Sequence, residues 1–282
     1  MMSVKCFSAV LVALGLAGSG ALAQSPPQRI VSLNPCLDTT LVALADRTQI
    51  AALSHYARDP YSSSIAEIAA TLPITYETAE EIIALSPDLL VVSGHSSPAT
   101  RNALRRVGIR SEFFAVPNTV DGSIAQVRKM AALVGHEDRG EELVARIEAA
   151  FAAAQPRAGA APISALLLQP NGFTVGERTL SEDIMRRVGF INIASRYGIG
   201  AAGNVPLERL IADPPALLLA GEPDPAMPGW AERVLRHPAL RRAGTQVPRA
   251  PFPQRLMYCG GPVMIDAVRA LVAARQQVET KP

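Results

Sequence analysis

Short apolar runs closed by turn residues alternate with amphipathic stretches along most of this chain, and that alternation constrains the fold more than any other feature. RIVSL (29–33) is followed by DTTLVALA, then IAAL, AEEIIAL, DLLVVSG, ATRNALRRVG and SEFFAV in turn. Strand-length runs separated by helix-length amphipathic ones predict a parallel sheet covered on both faces, because a parallel crossover needs a helix and both faces must then be buried. From Asp121 the pattern is helical to about Gln155, interrupted near Gly135 and the polar HEDRG, and EELVARIEAAFAAAQ is the strongest helix by propensity. It stops at Pro156; after RAGAAP the alternation resumes with ISALLLQ, SEDIMRRVG, PLERLIA, PALLLAG and WAERVLRHPALRRA, and closes on the helix PVMIDAVRALVAARQQ.

The two halves share a local plan. AEEIIALSPDLLVV (79–92) overlays LERLIADPPALLLA (207–220), which pairs Glu80 with Glu208, Pro87 with Pro215 and Leu89 with Leu217, each 128 residues apart. In both copies an acid sits in the first helical turn, where the helix dipole favours it, and the helix ends before a proline that pushes its predecessor out of the helical region. The expected fold is therefore α/β, with two Rossmann-like lobes built on central parallel sheets and joined by a long interdomain helix. The expected boundaries are an N-terminal lobe over 24–137, a linker helix over 138–158 and a C-terminal lobe over 159–282.

Lys5, the apolar Phe7–Leu16 run and the Ala21-Leu22-Ala23 cleavage pattern make residues 1–23 an expected signal peptide, cut near Ala23, for export to the periplasm. Cys6 leaves with it, so Cys36 and Cys259 remain as an even pair in an oxidising compartment. A Cys36–Cys259 disulfide is the leading expectation; two unpaired buried thiols, or paired soft ligands touching a bound metal, are the alternatives. Cys36 sits at a strand-to-helix turn suited to a nucleophile, but a free thiolate there would be oxidised after export. No G-x-S-x-G, H-E-x-x-H or phosphate-cradling loop is present, so no enzyme is expected. A net charge of +2 with 18% charged residues gives no reason to expect nucleic acid or an anionic membrane as partner. A small molecule is the expected partner and a monomer the expected state.

RIVSLNP with an acid three residues after Pro35, the PDLLVVSG strand, the spanning helix and the two matched glutamates together resemble periplasmic substrate-binding proteins that serve ABC importers of iron-siderophores, haem and cobalamin. The combination of SLNPCLD near the start and YCGGP near the end resembles a proteobacterial branch of that family assigned to iron-complex or corrinoid uptake. The resemblance implies two lobes facing across a cleft, a linking helix that limits closure to a few degrees, and delivery of the ligand to an importer's membrane subunits. It also implies that Glu80 and Glu208, one per lobe, dock on those subunits, with Glu81 competing with Glu80 for the role.

Ligands of open α/β sheets sit beyond the carboxyl ends of the strands. That rule selects Asn34 and Cys36 after the first strand, His55, Tyr56 and Arg58 after the second, His95 and Ser96 after DLLVVSG, Asn171 and Phe173 after ISALLLQ, and Arg255, Tyr258 and Cys259 in the final loop. Anionic siderophore complexes suit arginine forks, here Arg58, Arg178, Arg196 and Arg255, whereas a corrin or porphyrin suits aromatic faces such as Tyr56, Tyr76, Tyr197, Phe173, Trp230 and Tyr258. With only 5% aromatic residues the balance leans to a metal chelate with polar groups, an iron-siderophore first and cobalamin or haem as alternatives. A dedicated zinc or manganese site is the weaker reading, because His136 and His237 sit in helix-end loops and His55 and His95 lack an evident third ligand. No cofactor of the protein's own is expected.

Overall fold

A computed structural model describes residues 25–169, 172–221 and 247–279. The expected signal peptide, Asn171, Trp230 and His237 lie outside the described residues.

The N-terminal lobe follows the predicted alternation: β1 (Ile30–Ser32), α1 (Pro35–Leu44), β2 (Ile50–Ser54), α2 (Ala66–Ala69), β3 (Ile74–Thr75), α3 (Ala79–Ala84), β4 (Leu89–Ser93), α4 (Pro98–Arg106) and β5 (Ser111–Phe114). All pairings within this sheet are parallel, in the order β3-β2-β1-β4-β5. Two helices come next, α5 (Val120–Val134) and α6 (Glu137–Ala153). The C-terminal lobe holds β6 (Ile163–Leu168), β7 (Phe173–Val175), α7 (Leu180–Arg187), β8 (Phe190–Asn192), β9 (Ala202–Asn204), α8 (Leu207–Ala212), β10 (Leu217–Ala220), β11 (Arg249–Pro251) and α9 (Val263–Glu279). Its parallel sheet runs β11-β10-β6-β8, and β7 and β9 form a separate antiparallel pair.

Period-2 patterning decides which side chains enter which core. Ile30, Leu89, Val91, Ala165, Leu167, Leu217 and Leu219 face one shared core that also takes Val127, Met130, Val144 and Ile147 from α5 and α6 and Met264 and Val268 from α9. Their strand neighbours Val31, Leu33, Leu90 and Val92 build a smaller core on the far side of the first sheet, and Leu166, Leu168 and Leu218 do the same for the second. One hydrophobic body thus runs through both lobes.

The connection between lobes is a helical pair rather than one helix. The helix expected over 138–158 runs Glu137–Ala153, and α5 lies against it after a turn at Gly135, whose φ of 80° is the left-handed value a glycine adopts without strain. Both helices reach from lobe to lobe. At the N-lobe end Arg139 donates to the Leu44 carbonyl at 2.9 Å and pairs with Asp46 at 2.8 Å, and Gln49 donates to the Val134 carbonyl at 3.0 Å. At the C-lobe end Arg275 of α9 donates to the carbonyls of Ala154 and Val188, and the Val120 amide donates to Asp183 at 2.9 Å. No helix among the described residues is long and apolar enough to cross a membrane.

Candidate functional site

In the first sheet the chain leaves β1 towards β2 on one side and returns to β4 on the other, so β1 and β4 flank the point where the strand order reverses. Loops diverge from that point and leave a crevice beyond the strand ends. A cavity of about 640 Å³ opens there, a size ordinary for a small-molecule site. Leu33, Asn34 and Cys36 line it from the end of β1, Ser93, His95 and Ser97 from the end of β4, and Phe114–Pro117 from the end of β5. Ser123 and Gln126 reach it from α5, and Tyr258, Gly260 and Gly261 close it from the C-lobe loop before α9.

The α1 side of this wall is set by local chemistry. The Asn34 side chain caps α1 by accepting from the amides of Cys36 at 3.0 Å and Leu37 at 3.2 Å, while Pro35 fills the first turn, where no amide is needed. Cys36 is bonded to Cys259, with 4.9 Å between their Cα atoms and a sequence separation of 223. Of the three readings of the cysteine pair, the disulfide is the one the structure contains. Beside it the Gly261 amide donates to the Ser123 hydroxyl at 2.8 Å, and Gly261 itself sits at φ 60° with room for no more than hydrogen: a Cβ there would lie 2.6 Å from Thr40 Oγ1. The final loop is thereby clamped to α1 and α5, with Tyr258 held at the cavity.

The opposite wall turns on Glu77. Its φ of 66° is left-handed, and among the described residues only Ser86 and Arg178 share that departure without being glycine; neither lines the cavity. Four hydrogen bonds impose it. Thr75 Oγ1 accepts from the Glu77 amide at 3.0 Å, the Thr100 hydroxyl donates to the Glu77 carbonyl at 3.1 Å, and the Glu81 carboxylate accepts from the Thr75 hydroxyl at 2.9 Å and the Tyr76 amide at 2.8 Å. The Glu77 carboxyl itself has no hydrogen-bond or ion-pair partner among the described residues, and burial pushes its pKa up to about 7. Below the cavity floor Asp38 is fully buried; burial raises its pKa to about 7 against the hydrogen bonds of Ser32 and Ser54, which lower it, and the Glu77 charge adds to the rise. Burial likewise raises the Tyr258 phenol.

Of the residues singled out from sequence, Asn34, Cys36, Tyr56, His95 and Tyr258 line the cavity. Cys259 is buried behind it in the bridge. Ser96 is buried one residue away, its hydroxyl donating to the Leu33 carbonyl at 2.7 Å and tying the ends of β1 and β4 together. His55 stands behind Tyr56, with ring centroids 3.9 Å apart, and stacks on Tyr76 at 5.1 Å. Arg58 turns away to the carbonyls of Ala69 at 3.1 Å and Leu72 at 2.7 Å, so its guanidinium is committed to a loop. Phe173 packs near Tyr258 at 6.4 Å, and neither it nor Arg255 is among the lining residues.

Glu77, Ser123, Gln126 and Phe114–Pro117 line the cavity without having been expected. The strand-end rule reaches Phe114–Pro117, which follow β5 directly. Ser123 and Gln126 are there because α5 crosses between the lobes, which no local pattern announces. Glu80 and Glu208 are exposed in the first turns of α3 and α8, whereas the competing Glu81 is occupied in holding the Thr75–Glu77 turn.

No group of three or more His, Cys, Asp or Glu able to hold a bare metal ion occurs among the described residues. His95 and Tyr258 are single donor atoms, which suits a metal that arrives with its own chelator. The lining contains no arginine and no lysine among the described residues.

Comparison with known proteins gives a consistent match. Residues 30–244 match the family model described as periplasmic binding protein. A cobalamin-binding protein from Halobacterium salinarum is 25% identical over 174 residues, 61% of this chain and 47% of the relative, so the chain spans about half the length of that curated relative. The periplasmic heme-binding protein RhuT from Roseiflexus sp. RS-1, in apo form, superposes with a TM-score of 0.71 and 26% identity, covering 88% of this chain and 98% of its own. The vitamin B12 binding protein BtuF of Vibrio cholerae gives 0.69 at 17% identity, covering 91% of this chain and 99% of its own, a likeness of fold.

Proposed function

This chain belongs to the periplasmic binding protein family, and from that premise we propose that it is the solute-binding component of an ABC importer, capturing a metal chelate between its lobes in the periplasm and passing it to the membrane subunits. It binds and releases its cargo without transforming it, works as a monomer, has no nucleic-acid partner and takes no cofactor of its own. Within the class of chelates, a corrinoid fits the cavity best.

The absence of arginine and lysine from the described lining carries that choice. Carboxylate- or catecholate-bearing chelates are held by guanidinium forks, and the arginine that follows the second strand, Arg58, is spent on backbone carbonyls. A corrin rimmed by neutral amides asks for neutral partners and an apolar face. Asn34, Gln126, Ser62, Ser93 and Ser97 offer the first, and Tyr56, Phe114, Val116 and Tyr258 the second. The cobalamin-binding relative points the same way. An iron-siderophore is the second reading, supported by the family's range of chelates.

Calorimetric titration of the purified protein with cyanocobalamin, haemin, a ferric hydroxamate and a ferric catecholate tests the choice. Cyanocobalamin should bind tightest. A ferric siderophore binding more tightly would replace the corrinoid, and binding of free zinc or manganese alone would remove the chelate altogether.

A further inference from the structure

We propose that Glu77 is a specificity-determining residue of this cavity: a preorganised acceptor for an N–H or O–H group on the rim of the chelate, which rejects chelates that present a carboxylate there. This rests on the corrinoid reading, which it deepens by naming the feature of the ligand's periphery that is read.

A non-glycine residue in the left-handed region is strained and persists only where its surroundings over-determine it. The surroundings here do so. Thr75, Thr100 and Glu81 fix the turn on both sides of Glu77, and Glu81 accepts both of its hydrogen bonds there through Oε2. The result is a carboxyl on the cavity wall that gains nothing from the protein, since no donor among the described residues reaches it. Several other acids do have cationic partners: Asp46 pairs with Arg139, Glu141 with Arg128, and Asp183 with Arg186 and Arg187. No lysine or arginine lines the cavity among the described residues to screen Glu77.

An unpaired acid in a partly desolvated wall is therefore satisfied only by what enters. A neutral amide or hydroxyl on the ligand can donate to it in either protonation state, whereas an ionised carboxylate finds another one facing it, with Asp38 close enough below to raise the local negative potential. Specificity built on such repulsion discriminates between ligands identical in their apolar face.

Two matched pairs of ligands test this at pH 8 by calorimetry: cyanocobalamin against its monocarboxylic acids, in each of which one peripheral amide is hydrolysed, and the dimethyl ester of haemin against haemin. Wild-type protein should favour cyanocobalamin over at least one of the acids by about tenfold or more, the scale of one unfavourable charged contact. Glu77→Gln, which keeps the acceptor oxygen and removes the charge, should bring that preference to within about threefold. Glu77→Gly relieves the left-handed strain and deletes the carboxyl, so it should fold at least as stably and lose the preference equally. A wild-type preference that survives both substitutions, or no preference among the acids, overturns the role of Glu77. Binding of the porphyrin pair alone would sink the corrinoid reading while Glu77 is still judged by its preference for the ester. Failure of both pairs to bind removes both.

Discussion

Asp38 shows how a single buried acid sets the response of this protein to pH. Its carboxyl titrates near 4 in an unfolded chain and near 7 beneath the cavity. Between those values the folded form keeps a proton that the unfolded form has released, so folding stability is fully present below about pH 4 and declines as pH rises through 7. Glu77, raised to about 7 by burial, contributes with the same sign. Asp46, Asp183 and Glu141 are shifted downward and act only in acid, outside this window. Denaturant unfolding should therefore show greater stability at pH 5.5 than at pH 8. Asp38→Asn should flatten that dependence and raise stability at pH 8; a variant with the wild-type slope would show that Asp38 does not carry it. This residue scale was the least readable in the sequence. Asn34 and Cys36 could be located because a strand end, a proline and an amphipathic run surround them. Glu77 lies in a short loop where nothing local marks a left-handed residue, and the target of Arg58 depends on a turn eleven to fourteen residues on.

Among elements, the loop before α9 carries the closest fit. Its register is fixed by the Cys36–Cys259 bond, by the Gly261 amide on Ser123 and by the contact of Gly261 with Thr40. Gly261→Ala would add strain at φ 60° and push a methyl into Thr40 of α1. Thermal and denaturant unfolding should record a loss of about 1–3 kcal/mol. Gly94→Ala serves as the control, since nothing lies within 4 Å of the added methyl and its φ is not left-handed, and should be close to neutral. Equal stability of the two variants would mean that the loop can shift away from α1. The alternation of strands and helices was readable almost throughout because the period of the pattern reports burial directly, as Ile30 and Leu89 against Val31 and Leu90 illustrate. The pairing of α5 with α6 was only half visible: Gly135 marked a break, but that both helices cross between the lobes is decided at their ends, by Arg139, Gln49 and Arg275.

At the scale of the whole molecule, two helices and one continuous core join the lobes, and a disulfide fastens the last loop to the first helix. Helix α6, 17 residues long, spans about 25 Å and leaves little freedom for a hinge. Recognition by an importer would then depend on fixed features of both lobes, and Glu80 and Glu208 are exposed at matching places in each. Replacing both with alanine should leave cyanocobalamin affinity unchanged and abolish uptake in a reconstituted importer, with each single variant intermediate. Normal uptake by the double variant would show that docking runs through other residues. The bilobal plan was legible from the matched segments 128 residues apart, whereas the cavity's lining was legible only at strand ends such as Asn34, Cys36 and His95, because the rest is assembled from elements distant in sequence.

The bond between Cys36 and Cys259 also orders events in time. With a sequence separation of 223 between its partners, it cannot close until the chain has been made as far as Cys259. Until then Cys36 stands as a thiol at the edge of what becomes the binding wall. Closure of that bond fixes the final loop, so the wall formed by Tyr258, Gly260 and Gly261 and the covalent lock arrive together.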